Sequence, residues 1–237
     1  MMSGKSWGYV VQFFCLLVFL GMSPFLIKMD GRKTMSVSSD SVRSQNVSDE
    51  VKPVVALTFD DGPNASSTPI LLDGLKERKV RATFFLIGEN VEKDENEKIV
   101  KRMYEEGHLI GNHTYTHCNL SKLETGEAKK ELEQTDTVIE KITGKQPVFV
   151  RAPYGELPVD SEQDLSRIYI GWTVDPLDWM TEDAGAVVKT VVEEINPGDV
   201  ILLHDCYKSS VEAALRIVDL LKAEGFEFVT VDKLILE

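Results

Sequence analysis

The stretch ALTFDDGPN, residues 56–64, sets two adjacent carboxylates, Asp60 and Asp61, where an apolar run meets a Gly-Pro turn. Neighbouring acids at a strand tip are ordinarily solvated turn formers, and in a dry interior they repel one another. What surrounds this run decides between the two settings. Downstream of it, short apolar segments recur at 82–87, 109–111, 148–150, 168–174, 200–203 and 226–231, which with 54–59 read as strands. Between several of them lie helical patterns at 69–78, 95–106, 125–143, 184–195 and 210–224, and Gly107, Gly144 and Gly225 sit where helix C-caps belong. Alternation of strand and helix predicts an α/β fold with a mostly parallel sheet, and about seven strands suit a single-domain distorted (β/α) barrel better than a small open sheet. In such folds reactive side chains gather where strands run into their loops. Asp60 and Asp61 stand at such a place, as do His113, Arg151, Asp175, Asp178 and His204.

Upstream, the chain reads as an export element and a tether. An apolar stretch from about Gly8 to Ile27 follows Lys5 and precedes Lys28, Arg32 and Lys33, so residues 1–33 read as a signal-anchor or signal peptide. Pro24 directly after the small residues Gly21 and Ser23 is a poor setting for cleavage and favours an uncleaved anchor. Residues 34–51 are Ser-rich and without apolar periodicity, a linker composition, and the folded domain is expected over 52–237. This places the domain outside the cytoplasm, on or beyond a membrane. A formal charge of −13 over 237 residues excludes a phosphate backbone as partner, since such binding draws on clustered Lys and Arg. Of the three cysteines, Cys15 lies in the apolar stretch; Cys118 and Cys206 follow histidines closely and read as packing residues rather than as a disulfide framework.

The chain has four histidines. In NHTYTH, His113 and His117 are four apart, a spacing that brings both imidazoles to one side of a helical turn or of a loop of like geometry. One carboxylate from the Asp60–Asp61 pair would complete a two-His, one-carboxylate face with a position left open, the catalytic form of a metal site. Zinc suits it best; Mn, Fe, Co and Ni also occupy such faces. A divalent cation removes the repulsion between the paired acids, and the acid that is not a ligand is then free to take a proton from water. His108, after a Gly at the start of a strand, reads as structural.

TFDDG at 58–62, HTYTH at 113–117, RAPYG at 151–155, DPLDW at 175–179 and LLHD at 202–205 resemble, in order and spacing, the five motifs of the polysaccharide deacetylases with the NodB-homology domain, carbohydrate esterase family 4; ATFFLIG at 82–88 looks like that family's second strand. The resemblance covers about residues 53–235. It implies a distorted barrel and a metal-dependent hydrolase that removes N-acetyl groups from N-acetylglucosamine residues of an extracellular glycan, with peptidoglycan the first choice. It further implies Asp61, His113 and His117 as metal ligands, Asp60 as general base with Arg151 orienting it, the Tyr154 N–H as oxyanion donor, His204 as general acid tuned by Asp178, and Trp179 and Leu202 around the acetyl methyl. Chitin or exopolysaccharide N-deacetylation and O-deacetylation of xylan fit the same residues. An inactive glycan-binding envelope protein has no need of a base and an acid together. A two-His, one-carboxylate iron oxygenase ordinarily sits in an antiparallel jelly roll, which this alternation does not resemble.

Overall fold

In the computed structural model, which describes residues 52–93, 95–158 and 166–236, the run leading into FDDG forms β1 (Val54–Asp60) at the middle of an all-parallel, seven-stranded sheet. On one side β1 pairs with β6 (Val200–His204); its other edge is shared by β7 (Glu227–Val229) near its start and β2 (Thr83–Leu86) near its end. The sheet continues from β2 through β3 (Leu109–Asn112) and β4 (Phe149–Val150) to β5 (Ile168–Tyr169). Crossover helices α1 (Thr68–Glu77), α2 (Gly88–Val91), α3 (Asn96–Glu105), α4 (Thr125–Thr143), α5 (Ala184–Glu194) and α6 (Lys208–Ala223) follow the strands, and α7 (Val231–Leu236) follows β7. Parallel neighbours require such crossovers, which is why the strands alternate with helices along the chain.

Strand period two gives β1 its two faces. Val55, Leu57 and Phe59 pack with Leu71, Leu75, Phe84, Leu203 and Ile217 in the main core between sheet and helices. Ala56, Thr58 and Asp60 occupy the opposite, inward face, where Ala56 meets Phe85, Phe149 and Val231. Asp60 is therefore delivered to the mouth of the barrel by the same alternation that buries Phe59 against the helices. A fully buried leucine such as Leu75 contributes about 2 kcal/mol through area removed from water. On α4 the buried residues Ala128, Leu132, Thr135, Asp136 and Ile139 recur at helical spacing, and the helix ends at Gly144 with φ of 72°, a left-handed position that glycine takes without a Cβ clash.

The structure departs from the sequence expectation most at 168–174, which is not one strand. Ile168 and Tyr169 pair with β4, the chain then runs on through 170–172, and Thr173 and Val174 bond to β6, the other edge of the sheet. This segment joins the two edges of the curled sheet, with the Val174–Ile201 bridge parallel like the rest. The short α2 and the terminal α7 were not anticipated, being too brief to show a period. The His113-to-His117 spacing lies on a loop after β3, not on a helix. The export element and the Ser-rich linker lie outside the described residues. Among the described residues no helix is long and apolar enough to cross a membrane.

Candidate metal centre and active site

Asp61, His113 and His117 bring one ligand atom each to a common point, all within 4.8 Å of one another. Asp61 Oδ1 lies 3.5 Å from His113 Nε2 and 3.3 Å from His117 Nε2. His113 Nδ1 is 2.6 Å from the Arg151 carbonyl oxygen, a group that only accepts, so Nδ1 carries the proton and Nε2 presents its lone pair toward Asp61. Asp61 Oδ1 is buried and has no hydrogen-bond partner. A buried carboxylate oxygen without a donor, faced by two imidazole nitrogens, is the arrangement a divalent cation completes, and this donor set fits one. Burial alone would raise the Asp61 carboxyl, but the neighbouring imidazoles of His113, His117 and His204 outweigh it and hold the group below its ordinary value. His117 is lowered by burial, against the charge of Asp61, which keeps it the neutral base that a ligand must be.

Asp60 stands beside this centre with a different set of partners. Its Oδ1 accepts from Arg151 Nη1 at 2.9 Å, and its Oδ2 lies 3.7 Å from His113 Nε2. Arg151, 1% exposed, crosses the barrel interior: its guanidinium also donates to Thr58 Oγ1 and to the carbonyls of Ile170 and Gly171 in the segment that joins the two sheet edges, and it stacks over the Phe85 ring at 4.3 Å. A buried guanidinium with this many acceptors is fixed in place, and it fixes the carboxylate it holds. His204, at the end of β6 and level with Asp60 in register, faces the pair from the neighbouring strand with its Nε2 4.0 Å from Asp61 Oδ2. Its Nδ1 is 2.7 Å from Asp178 Oδ1, and its backbone N–H donates to Asp178 Oδ2 at 2.8 Å. Burial would lower the His204 imidazole, yet the hydrogen bond and charge of Asp178, with Asp60 and Asp61 behind it, raise it to about 9. It is a cation at neutral pH, with Nε2–H aimed into the site.

The other anticipated residues divide. Tyr154 joins the centre, its ring 5.0 Å from that of His117 and its hydroxyl 3.3 Å from His117 Nδ1. Leu202 is buried on the inward face of β6 opposite Thr58. Trp179 is exposed on the short turn Asp178–Met180 and touches none of the ligands through a recorded bond. Asp175 accepts from the Leu177 N–H, the work of a turn former. Cys118 and Cys206 are free and half-buried, the first packed against Leu120 and Leu132 and the second beside Asp61 and Pro63, so no bridge joins them. His108 is structural as expected: it accepts from the Ala82 N–H and sets its edge on Phe84.

Supporting residues that the motifs did not single out complete the site. Glu131 of α4 accepts from the Tyr115 and Thr116 N–H groups and so pins the loop between His113 and His117. Asn112 accepts from the Thr114 N–H and donates to Asp136. Asp205, wholly buried and pushed up to about 7 by burial, accepts from Thr68 and closes over Gly62, where a Cβ would come within 2.5 Å of its oxygens. Asp61, Thr114, His117, Tyr154 and Leu177 all have φ above 50°, a region costly for non-glycine residues, and these positions cluster at the site loops.

The family model for polysaccharide deacetylase matches residues 48–170 of the chain. The chain belongs to this family. A peptidoglycan-N-acetylglucosamine deacetylase of Bacillus cereus is 43% identical over 188 residues, which are 76% of this chain and 67% of that protein. The structure of the peptidoglycan deacetylase PdaC of Bacillus subtilis is 38% identical with a TM-score of 0.74 over 78% of this chain and 90% of that one. The match spans only 41% of the curated PdaC sequence. A family 4 acetyl xylan esterase from Clostridium thermocellum, solved with a cobalt ion, is 33% identical with a TM-score of 0.73 over 77% of this chain and 90% of the other. The chain shares the curled parallel sheet of these deacetylases and is a hydrolase of their kind. As in β/α enzymes generally, its site lies at the strand ends. A cavity of about 680 Å3 lies at the opposite end among Val80, His108, Leu109 and Thr230 and includes none of the site residues.

Proposed function

We propose that the protein is a divalent-metal N-deacetylase that removes acetyl groups from N-acetylglucosamine residues of an extracellular glycan, most directly peptidoglycan, releasing acetate and leaving an amine. The observation that carries this reading is the pairing of an Arg-held carboxylate with an Asp-held imidazolium on either side of the Asp61–His113–His117 set. It is supported by the family and by the names of relatives about 40% identical, which act on peptidoglycan. Zinc is the proposed metal for the donor set, and the apolar N-terminal stretch is proposed to hold the domain at the outer face of a membrane.

When bound, the metal supplies Lewis-acid polarisation of the acetamide oxygen and a lowered pKa for water. The chain's own groups supply the rest. Asp60, held and oriented by Arg151, takes a proton from the attacking water. The Tyr154 N–H offers a hydrogen bond to the oxygen that becomes negative as the carbonyl is attacked. His204, charged and held by Asp178, gives its proton to the sugar nitrogen as the C–N bond breaks, which an amine leaving group requires. Leu202 and Trp179 are proposed to bound the acetyl methyl.

The same groups can open an ester, and the likeness to an acetyl xylan esterase favours that as the second reading. Product analysis separates the two. Incubating the full-length protein with purified peptidoglycan and with acetylated xylan gives, on the first reading, equal amounts of acetate and new amine from peptidoglycan. Acetate from xylan with no amine from peptidoglycan would replace it with the second.

A further inference from the structure

Beside the metal centre a cavity of about 460 Å3 opens between the FDDGPN turn and the connection from α2 to α3, with Asp61 on its wall. Its chemistry is specific. Pro63 and Ala65 give it an apolar side. Asn96, 5% exposed, spends both amide hydrogens on the Pro63 and Asn90 carbonyls, and its Oδ1 is buried with no partner at all. Lys93 lies at the exposed edge, where its ammonium donates to Asn90 Oδ1 at 2.6 Å and, among the described residues, forms no ion pair. Glu95, the remaining charged residue of the lining apart from Asp61, is paired with Lys98.

An acceptor without a donor and a cation without an anion ask for a ligand that brings both. In a chain of net charge −13, a lysine that forms no ion pair among the described residues and lines the same cavity as Asp61 stands out against the general electrostatics. A sugar hydroxyl satisfies Asn96 Oδ1, the C–H face of a pyranose suits Pro63 and Ala65, and a carboxylate satisfies Lys93. We infer that this cavity is a subsite for a neighbouring sugar that carries a carboxylate, as an N-acetylmuramic acid unit without a stem peptide does through its lactyl ether, and that Lys93 makes the protein prefer such a glycan over uncharged chitooligosaccharides of equal length. This rests on the proposed glycan N-deacetylase reading and adds to it the feature of the substrate that the site selects.

The test uses the full-length, metal-loaded protein and two tetrasaccharides, chitotetraose and one of alternating N-acetylglucosamine and N-acetylmuramic acid. Binding is followed by calorimetry and amine formation is followed separately. Lys93→Met weakens the carboxylate-bearing tetrasaccharide fivefold to tenfold, roughly what one charge-assisted hydrogen bond supports, through KM and not kcat. It leaves chitotetraose unchanged, and Lys93→Arg restores the preference. Ala65→Trp, which fills the cavity from its exposed edge, weakens both tetrasaccharides. Equal effects of Lys93→Met on both glycans, or unaltered binding of both in Ala65→Trp, would overturn the inference. Wild-type protein that binds the charged tetrasaccharide in a Lys93-dependent way yet yields no amine would instead refute the N-deacetylase reading while leaving the subsite standing.

Discussion

Asp60 and Asp61 are neighbours with different work because the backbone reverses between them. Asp60 is the last inward residue of β1 and is held by Arg151, whereas Asp61, at φ of 71°, already belongs to the turn and faces the two histidines. Replacing Asp60 by Asn keeps the shape and removes the base, so kcat falls about 10²- to 10⁴-fold while one metal per chain is still bound, as metal analysis after dialysis will show. Asp178→Asn leaves the metal set intact and takes the counter-charge from His204; kcat falls by a comparable factor with metal content unchanged. Loss of metal in either variant would put these two residues in the ligand set instead. The pairing of acids at a strand end, and the spacing of His113 and His117, were legible because each is local in sequence. The role of Arg151 was legible only through the motif, since nothing near it in sequence shows that it crosses the barrel to the end of β1.

At the level of elements, the site is a set of strand ends plus the loops that helices pin down. The loop from His113 to His117 is not helical and owes its shape to Glu131, in the second turn of α4, and to Asn112. Glu131→Ala frees two backbone N–H groups and loosens the second ligand histidine, so metal affinity drops about 10- to 100-fold in a chelator competition, with a smaller loss of kcat once metal is saturating. Unchanged affinity would mean the loop holds its form without α4. Glu131 was not legible as a site residue because a single acid on an amphipathic helix looks like any solvated one. The strand-like run at 168–174 misled for a related reason: period and composition mark it as extended, but the switch of its second half, Thr173 and Val174, to the other edge of the sheet depends on partners far away in sequence.

For the whole molecule, the barrel separates chemistry from stability, with the site at one end and purely structural groups such as His108 at the other. Burial lowers the His108 imidazole from 6.5 to about 4, so the folded protein keeps it neutral, accepting from the Ala82 N–H, while the unfolded chain takes up a proton. A depressed folded pKa makes this stability fully present above pH 6.5 and progressively lost as pH falls toward 4, by about 3 kcal/mol. Denaturant unfolding of wild type and His108→Asn at pH 7.5 and 4.5 will show a smaller acid loss in the variant; equal losses would assign the acid sensitivity to carboxylates. That Asp60, His113, Arg151 and His204 gather at one end of the barrel was legible because each ends or follows an apolar strand-like run, whereas the cavity beside Asp61 arises only where two loops meet and left no trace in the sequence.

The central claim is that Asp61, His113 and His117 hold the metal on which hydrolysis depends, and one measurement addresses it most directly: acetate and amine release from peptidoglycan by the full-length protein, stripped of metal and then titrated with zinc or cobalt, beside His117→Ala. The account predicts no release when stripped, recovery at one equivalent of metal in the wild type, and neither stoichiometric binding nor recovery in the variant. Full activity in the stripped protein, or one-equivalent recovery in His117→Ala, would contradict it.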